Sequence, residues 1–289
     1  MTYLGHLHYF LGLQVLQSKE GIPLSQSKYA YDLLHYFHME DCKPAPSPFQ
    51  SGVKLSVTCT TPEVDATLYR QLVGKLLYLT HTHPDLSFVV GLVARFMHQP
   101  HESHWKATKI ILRYIRGTVK FGIHYSAGTS PMLIGFTDSD WAGDLDDQKF
   151  TARYVFTLGS GPITWSCKKQ SGISLSSAEA EYRGAVEASK EAMWLRQILS
   201  EFGLHQQHPT TLWCDNQSAI QLCKDTVQHQ RMKHIELHIH FIRKLIHNRV
   251  LEVQYCPTND QVADIFTKAL TEAKCTKLRS MLGVQESCH

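Results

Sequence analysis

No Cys-x-x-Cys pair occurs among the eight cysteines (42, 59, 167, 214, 223, 256, 275 and 288), so none stands at zinc-finger spacing. No N-terminal apolar run resembles a secretory signal, so a reducing, intracellular setting is expected. His, Lys or Arg interrupts every apolar stretch before the ~18 to 20 residues that a membrane helix needs, and no membrane partner is expected. No internal repeat or low-complexity tract is found. Among the 18 histidines, the group His234, His238 and His240 lacks cysteines at finger spacing and reads as surface or stacking residues rather than as a zinc site.

One further absence is local. Residues 104–120 contain no acid but carry Lys106, Lys109, Arg113, Arg116 and Lys120, a field suited to a polyanion or to a solvated helix face. The formal net charge of +3 hides an asymmetry, with 12 basic and 8 acidic residues before position 131 and 17 and 18 after it. At 289 residues and 43% hydrophobic content, the chain has the length of about two domains and enough apolar matter for real cores.

Residues 9–31 read as an apolar strand, a turn around Glu20-Gly21, a second strand and the start of a helix. The prolines at 44, 46 and 48 and the Ser/Thr-rich run to Pro62 mark 43–62 as a linker. Helices are expected within 66–81 and 85–98, and a basic helix from Glu102 that stops at Gly117 as a C-terminal cap. From Met132 the pattern becomes strands at 132–138, 151–158 and 162–168, a helix at 177–200, a strand at 210–215 and a short helix from 217. A helix at 234–248, a strand at 250–256 and a helix at 260–270 follow. This is a mixed α/β (α+β) pattern, one mixed sheet with flanking helices.

The acids fall at informative places. Strand alternation aims Asp138 the same way as Ile134 and Phe136, toward the apolar side. Glu181, Ala185, Ala188, Ala192, Leu195 and Leu199 form one helical stripe, with Glu179 in a capping-box position after Ser176 and Glu187 and Glu191 outward. Asp215 ends a strand, and Asp264 lies in the first turns of a helix. Any one of them alone is as readily an ordinary turn or cap acid. Four oxygen ligands converging on a sheet edge suit a hard divalent cation, Mg²⁺ rather than Zn²⁺.

The strings FTDSDWAGD (136–144), SSAEAEYRGA (176–185), KHIELHIHFIR (233–243) and PTNDQVADIFTKAL (257–270) resemble the ribonuclease H domain of copia-type LTR-retrotransposon Pol polyproteins, over nearly all of 131–275. Upstream, HYFLGLQV (8–15) is similar to the primer-grip hairpin of the retroelement polymerase, and YRQLVGKLLYLTHTHPDL (69–86) to its thumb and connecting helices. The resemblance implies a palm or primer-grip segment at 1–42, the linker at 43–62, a mostly helical thumb/connection remnant at 63–130, a ribonuclease H-like domain at 131–275 and a tail at 276–289. It implies catalytic metal ligands Asp138, Glu181, Asp215 and Asp264, with Asp140 the competitor of Asp138, and two ions of Mg²⁺ or Mn²⁺. Asp138 would bridge the ions, Glu181 and Asp215 would hold one and Asp264 would complete the other. Hydrolysis would fall on the RNA strand of an RNA–DNA hybrid.

Nucleic-acid contacts are expected at Ser177, Gln217 (near RNA 2′-hydroxyls), Lys233 and His234. On the upstream helices they are expected at Arg70, Gly74 and Tyr78, which share a face at four-residue steps, and at Lys106, Lys109, Arg113 and Arg116. For Gly74 the alternative is a glycine tolerated in a core helix. Other Pol segments are further expected partners, and a cytoplasmic virus-like particle or the nucleus the expected place.

Three departures from the family stand out. The polymerase's Tyr-x-Asp-Asp segment does not occur, so no nucleotide incorporation is expected. Where the family carries Ser-Thr-Ser-Gly-Tyr, this chain has Phe150-Thr151-Ala152-Arg153-Tyr154, and arginine for glycine should perturb that strand. The histidine that cellular members of the superfamily place before the fourth acid is replaced by Tyr255-Cys256-Pro257-Thr258, with His234 a candidate substitute. A non-catalytic nucleic-acid-binding relic is the main alternative, and an adaptor domain without nucleic acid is disfavoured by the basic segments, including Arg231, Arg243 and Lys244.

Overall fold

The computed structural model describes residues 5–50, 52–53, 55–58, 60–140, 151–169, 176–224 and 236–287, excluding the side chains at 140, 151, 168–169 and 236–239. It divides into two compact units, one of residues 1–129 with 268–289 and one of 130–267.

The first unit contains an antiparallel sheet of β1 (Tyr9–Phe10), β2 (Leu13–Val15), β3 (Gly21–Ser25), β4 (Phe121–Ser126) and β10 (Val284–Glu286), in that spatial order. Its helices are α1 (Ser27–Tyr36), α2 (Ala66–Leu79), α3 (Ser87–Ala94), α4 (Glu102–Thr118) and α8 (Glu272–Met281). Leu34, Leu72, Leu76, Val90, Ile111 and Ile115 interlock in the helical core. Asp65 starts α2 by accepting hydrogen bonds from the Thr67 and Leu68 amides at 2.7 and 3.2 Å, as an N-cap acid should.

Two expectations change here. Helix α4 runs through Gly117 to Thr118 instead of ending on it; a Cβ at Gly117 would lie 3.3 Å from the Pro44 side chain, so the glycine makes room for the linker rather than capping a helix. The segment from 276 is not a tail, because α8 precedes a strand, β10, whose Val284, Gln285 and Glu286 pair with Ile123, Gly122 and Phe121. The change of unit accordingly falls after Thr267 and not at 275.

In the second unit the strands are β5 (Leu133–Asp140), β6 (Thr151–Leu158), β7 (Gly161–Lys169), β8 (Thr210–Cys214) and β9 (Leu251–Tyr255). Their order is β7-β6-β5-β8-β9, antiparallel through the first three and parallel from β5 to β8 to β9. This is the expected mixed sheet. Strand β6 runs unbroken through Arg153, paired on both sides, so arginine in place of the family glycine does not interrupt it. The expected helix at 260–270 is shorter, a 3₁₀ turn at Val262–Phe266; the Thr267 hydroxyl donates to the Asp264 carbonyl at 2.9 Å and closes it.

The long helix α5 (Ser177–Glu201) packs on β5, β6 and β8. Its stripe of Ala185, Ala188, Ala192, Leu195 and Leu199 is buried with Phe156, Leu212 and Val253. Helices α6 (Gln217–Lys224) and α7 (Glu236–His247) contribute Ile220, Cys223, Ile242 and Leu245 to the same core.

Candidate metal centre

Strand β5 presents alternate residues to opposite faces. A Cβ at Gly184 of α5 would come within 2.2 Å of Ser139 Oγ and 3.3 Å of Thr137 Oγ1, which puts Thr137 and Ser139 on the α5 face. Ile134, Phe136 and Asp138 therefore point the other way. The expectation that Asp138 shares a side with Ile134 and Phe136 holds, but the main α5 core is on the opposite side. Ala152 packs with Ala180 of α5, so its neighbour Arg153 also points away from α5. Cys167, paired with Arg153, reaches the Phe266 carbonyl at 3.5 Å, which identifies this second face as the one covered by the 262–266 turn.

Three acids meet where these elements end. Asp138, Glu181 and Asp215 each offer a carboxylate oxygen, and the three atoms lie within 4.8 Å of one another. Asp138 and Glu181 are both only 6% exposed, and Asp215 is half-buried. β5 and β8 are parallel neighbours, so Asp138 and the residue following β8 emerge at the same edge. Ser176 caps α5 by accepting from the Glu179 amide at 3.2 Å, and Glu181 follows in the first turns on the buried stripe. Glu179 is ion-paired with Arg183 at 2.7 Å.

Glu181 is held by the Ser139 amide, which donates to Oε1 at 3.2 Å. Its Oε2 is buried with no donor turned to it among the described residues. Burial first, and then the charges of Asp138 and Asp215, push the Glu181 carboxyl up to about 10. Burial is the larger cause and the two neighbouring acids the next, and a cation held among the three carboxylates would offset both. All the donors are oxygen, the set preferred by hard divalent cations, so the residues fit such an ion. The Thr258 hydroxyl orients Asp215, donating to Oδ2 at 3.1 Å.

Asp264 is fully buried but is not one of the three clustered acids among the described residues. Its turn packs on β5 and β6. Gln261, which sequence reasoning did not single out, fixes that turn beside Asp138: its Nε2 donates to the Thr137 carbonyl at 3.0 Å, and its Oε1 accepts from the Ala263 amide at 3.2 Å. A polar residue at a turn start with Asp three positions later was the available signal.

The chain is 42% identical over 278 residues to the retrovirus-related Pol polyprotein from transposon RE2 of Arabidopsis thaliana, covering 96% of this chain and 19% of that one. It is 38% identical over 296 residues to the Pol polyprotein from transposon TNT 1-94 of Nicotiana tabacum, covering 99% and 22%. The chain belongs to the copia-type retrotransposon Pol family. This Pol chain spans about a fifth of the length of the curated relatives it matches. No family model matches it. Among solved structures it is similar to LC11-RNase H1, isolated from compost by a metagenomic approach, at a TM-score of 0.37 and 16% identity, covering 47% of this chain and 92% of that one.

The nucleic-acid residues expected in the Pol chain are unevenly placed. Gln217 and Ser177 are exposed, each opening its helix. Lys233 and His234 lie outside the described residues, as does the side chain of Asp140. On α2, Arg70 and Gly74 are exposed, and a Cβ at Gly74 would meet nothing within 4 Å; Gly74 is thus no core glycine. Tyr78 serves the fold, its hydroxyl donating to the Leu11 carbonyl at 2.7 Å. Lys106 pairs with Glu102 at 2.9 Å, Lys109 lies over Trp105, and Arg113 and Arg116 donate to the Lys43 and Glu40 carbonyls. Two of these four cations are therefore used on the backbone at and just before the start of the linker. No described helix is long and apolar enough to cross a membrane.

Proposed function

We propose that the second unit is a ribonuclease H-type hydrolase that cleaves the RNA strand of an RNA–DNA hybrid, with Asp138, Glu181 and Asp215 as metal ligands and Asp264 as the fourth, outlying acid. The convergence of three acids on one sheet edge, with Glu181 buried and lacking a donor at Oε2, carries this reading. Bound Mg²⁺ or Mn²⁺ would supply Lewis acidity at phosphorus and a more acidic water.

The chain's own part is positioning. Asp138 and Asp215 are fixed by paired strands, Glu181 by the Ser139 amide and Asp215 by Thr258. Gln217, two residues beyond Asp215 on the exposed start of α6, would read 2′-hydroxyls and so favour RNA, with Ser177, Lys233 and His234 as further contacts. Water oxygen would bond to phosphorus as the bond to the 3′-oxygen breaks; the 3′-oxygen would take up a proton, matching the one that the water gives up, to leave as a 3′-hydroxyl, and a 5′-phosphate would remain on the other fragment. The first unit is proposed as a polymerase primer-grip and thumb/connection remnant that helps to hold the hybrid through Arg70, Gly74 and Lys109. The chain would act inside the cell, in a virus-like particle or the nucleus, beside other Pol segments.

The test is cleavage of a labelled hybrid in Mg²⁺ by the full chain. The RNA strand should be cut and the DNA strand spared. Asp138→Asn, Glu181→Gln and Asp215→Asn should nearly abolish cleavage while hybrid binding persists, and Asp264→Asn should be milder. One observation favours the second reading, a non-catalytic hybrid-binding relic: the buried Arg153 on the Asp138 face. Binding without cleavage across a range of Mg²⁺ and Mn²⁺ would decide for it.

A further inference from the structure

Arg153 is 2% exposed, in the middle of β6 at the place where the family resemblance leads one to expect glycine. It stands directly opposite Asp138 across the antiparallel β5–β6 pair. Residues so opposed share a face, with Cβ atoms roughly 4.5 to 5.5 Å apart. Its Nε donates to Cys167 Sγ at 3.4 Å, and Cys167 in turn reaches the Phe266 carbonyl. The side chain thus runs beneath the turn that carries the fully buried Asp264.

A guanidinium so deeply buried requires negative charge close by. Among the described residues, Asp138 of β5 stands directly opposite on this face, and the turn packed on β5 and β6 carries the buried Asp264; both are among the four acids that the ribonuclease H reading assigns to metal. Asp264 is the one that the structure leaves outside the three-acid cluster.

We infer that Arg153 is a built-in counter-cation, its guanidinium taking the place of a second divalent ion between Asp138 and Asp264 and leaving a one-ion site at Asp138, Glu181 and Asp215. This rests on the metal-site reading proposed above. Arginine cannot lose its proton in a protein, so the charge is permanent. It would lower divalent affinity at every pH, and a metal would have to displace a tethered group rather than water.

Metal binding itself is the test, read by Mn²⁺ electron paramagnetic resonance and calorimetric titration of the full chain. The wild type should bind one Mn²⁺ per chain in the second unit. Arg153→Gly, which removes both charge and bulk, should bind two. Arg153→Met, which keeps the bulk and removes the charge, should bind the first ion roughly tenfold more tightly or better, and Arg153→Lys should stay near the wild type.

Two ions bound tightly by the wild type, or no change in either affinity or number in a folded Arg153→Met, would overturn the inference. Arg153→Met guards against loss of fold in the glycine variant, and the wild-type stoichiometry tests the idea with no variant at all. Cleavage separates this inference from the reading beneath it. If Arg153→Gly binds two ions yet never cuts a hybrid, the nuclease reading fails and the counter-cation stands. If the wild type cuts readily with two ions bound, the reverse holds.

Discussion

Replacing Glu181 by glutamine should stabilise the metal-free protein, although it removes a proposed catalytic group. The Glu181 carboxyl, 6% exposed, is pushed from 4.5 to about 10 by burial and by Asp138 and Asp215. With the folded value above the unfolded one, the native state retains a proton that the unfolded chain releases, so stability falls as pH rises from about 4.5 toward 10. Each unit is worth roughly 1.4 kcal/mol, and the three units between 4.5 and pH 7.5 set a ceiling of about 4 kcal/mol. Sharing of the proton with Asp138 brings the expected figure to about 2 to 4 kcal/mol.

Glutamine keeps the shape and has nothing to titrate. In EDTA at pH 7.5, Glu181→Gln should raise the melting of the second unit by roughly 5 to 10 °C. The gain should shrink to little near pH 5. Added Mg²⁺ should reverse the order, because only the wild type gains from ligand binding in full. Scanning calorimetry of both chains, with and without chelator at the two pH values, reads all three effects. A variant less stable than the wild type in EDTA at pH 7.5, or a gain independent of pH, would refute the reasoning.

Gly184→Ala should push α5 off Ser139, since the new Cβ would sit 2.2 Å from Ser139 Oγ; a loss of about 1 to 3 kcal/mol with weaker Mn²⁺ binding is expected, and unaltered binding would show that the helix does not set the Glu181 position. Tyr114→Phe removes a hydroxyl that donates to Asp85 Oδ2 and accepts from Arg279, both at 2.6 Å; the first unit should lose about 2 kcal/mol or more in urea unfolding with the second unit unaffected. Lys109→Glu should weaken hybrid binding across sequences alike and flatten its salt dependence. Arg113→Ala should instead destabilise the first unit, because Nε of Arg113 holds the Lys43 carbonyl.

What was legible in the sequence is what is encoded locally. The alternation of β5, the alanine stripe of α5 and the acids at strand ends each follow from a short period, and they were enough to bring Asp138, Glu181 and Asp215 together. Asp264 was harder, because its placement depends on Gln261 bonding the Thr137 carbonyl across 124 positions of sequence. The cations of α4 showed the limit of charge counting: a row at helical spacing does not reveal that Glu102 neutralises Lys106 or that Arg113 and Arg116 are used on the backbone carbonyls of Lys43 and Glu40. The Arg153 substitution was visible, but its consequence was not. A strand tolerates arginine if a buried space and opposite charges await it, and only the fold shows which face that is.

The least legible feature was the return of the chain after Thr267. β10 has three residues, and nothing in Val284-Gln285-Glu286 announces a strand, yet it pairs with β4 across some 160 positions. Arg279 of α8 adds a half-buried link, donating to Tyr114, which donates to the buried Asp85. The first unit is thus interrupted in sequence by the whole of the second. Long-range pairing of this kind closes late, because loop entropy must be overcome before the contacts form. During synthesis α1 to α4 emerge first, but their sheet lacks its last strand until the second unit has been made. A chain ending at Thr267 should therefore retain the complete β7-β6-β5-β8-β9 sheet while leaving β4 as an exposed edge and the Tyr114–Asp85 pair without Arg279. Hydrogen exchange should show β3 and β4 deprotected in that truncation and β5 and β6 unchanged. Equal protection of β4 in both chains would mean that the first unit closes without its C-terminal strand.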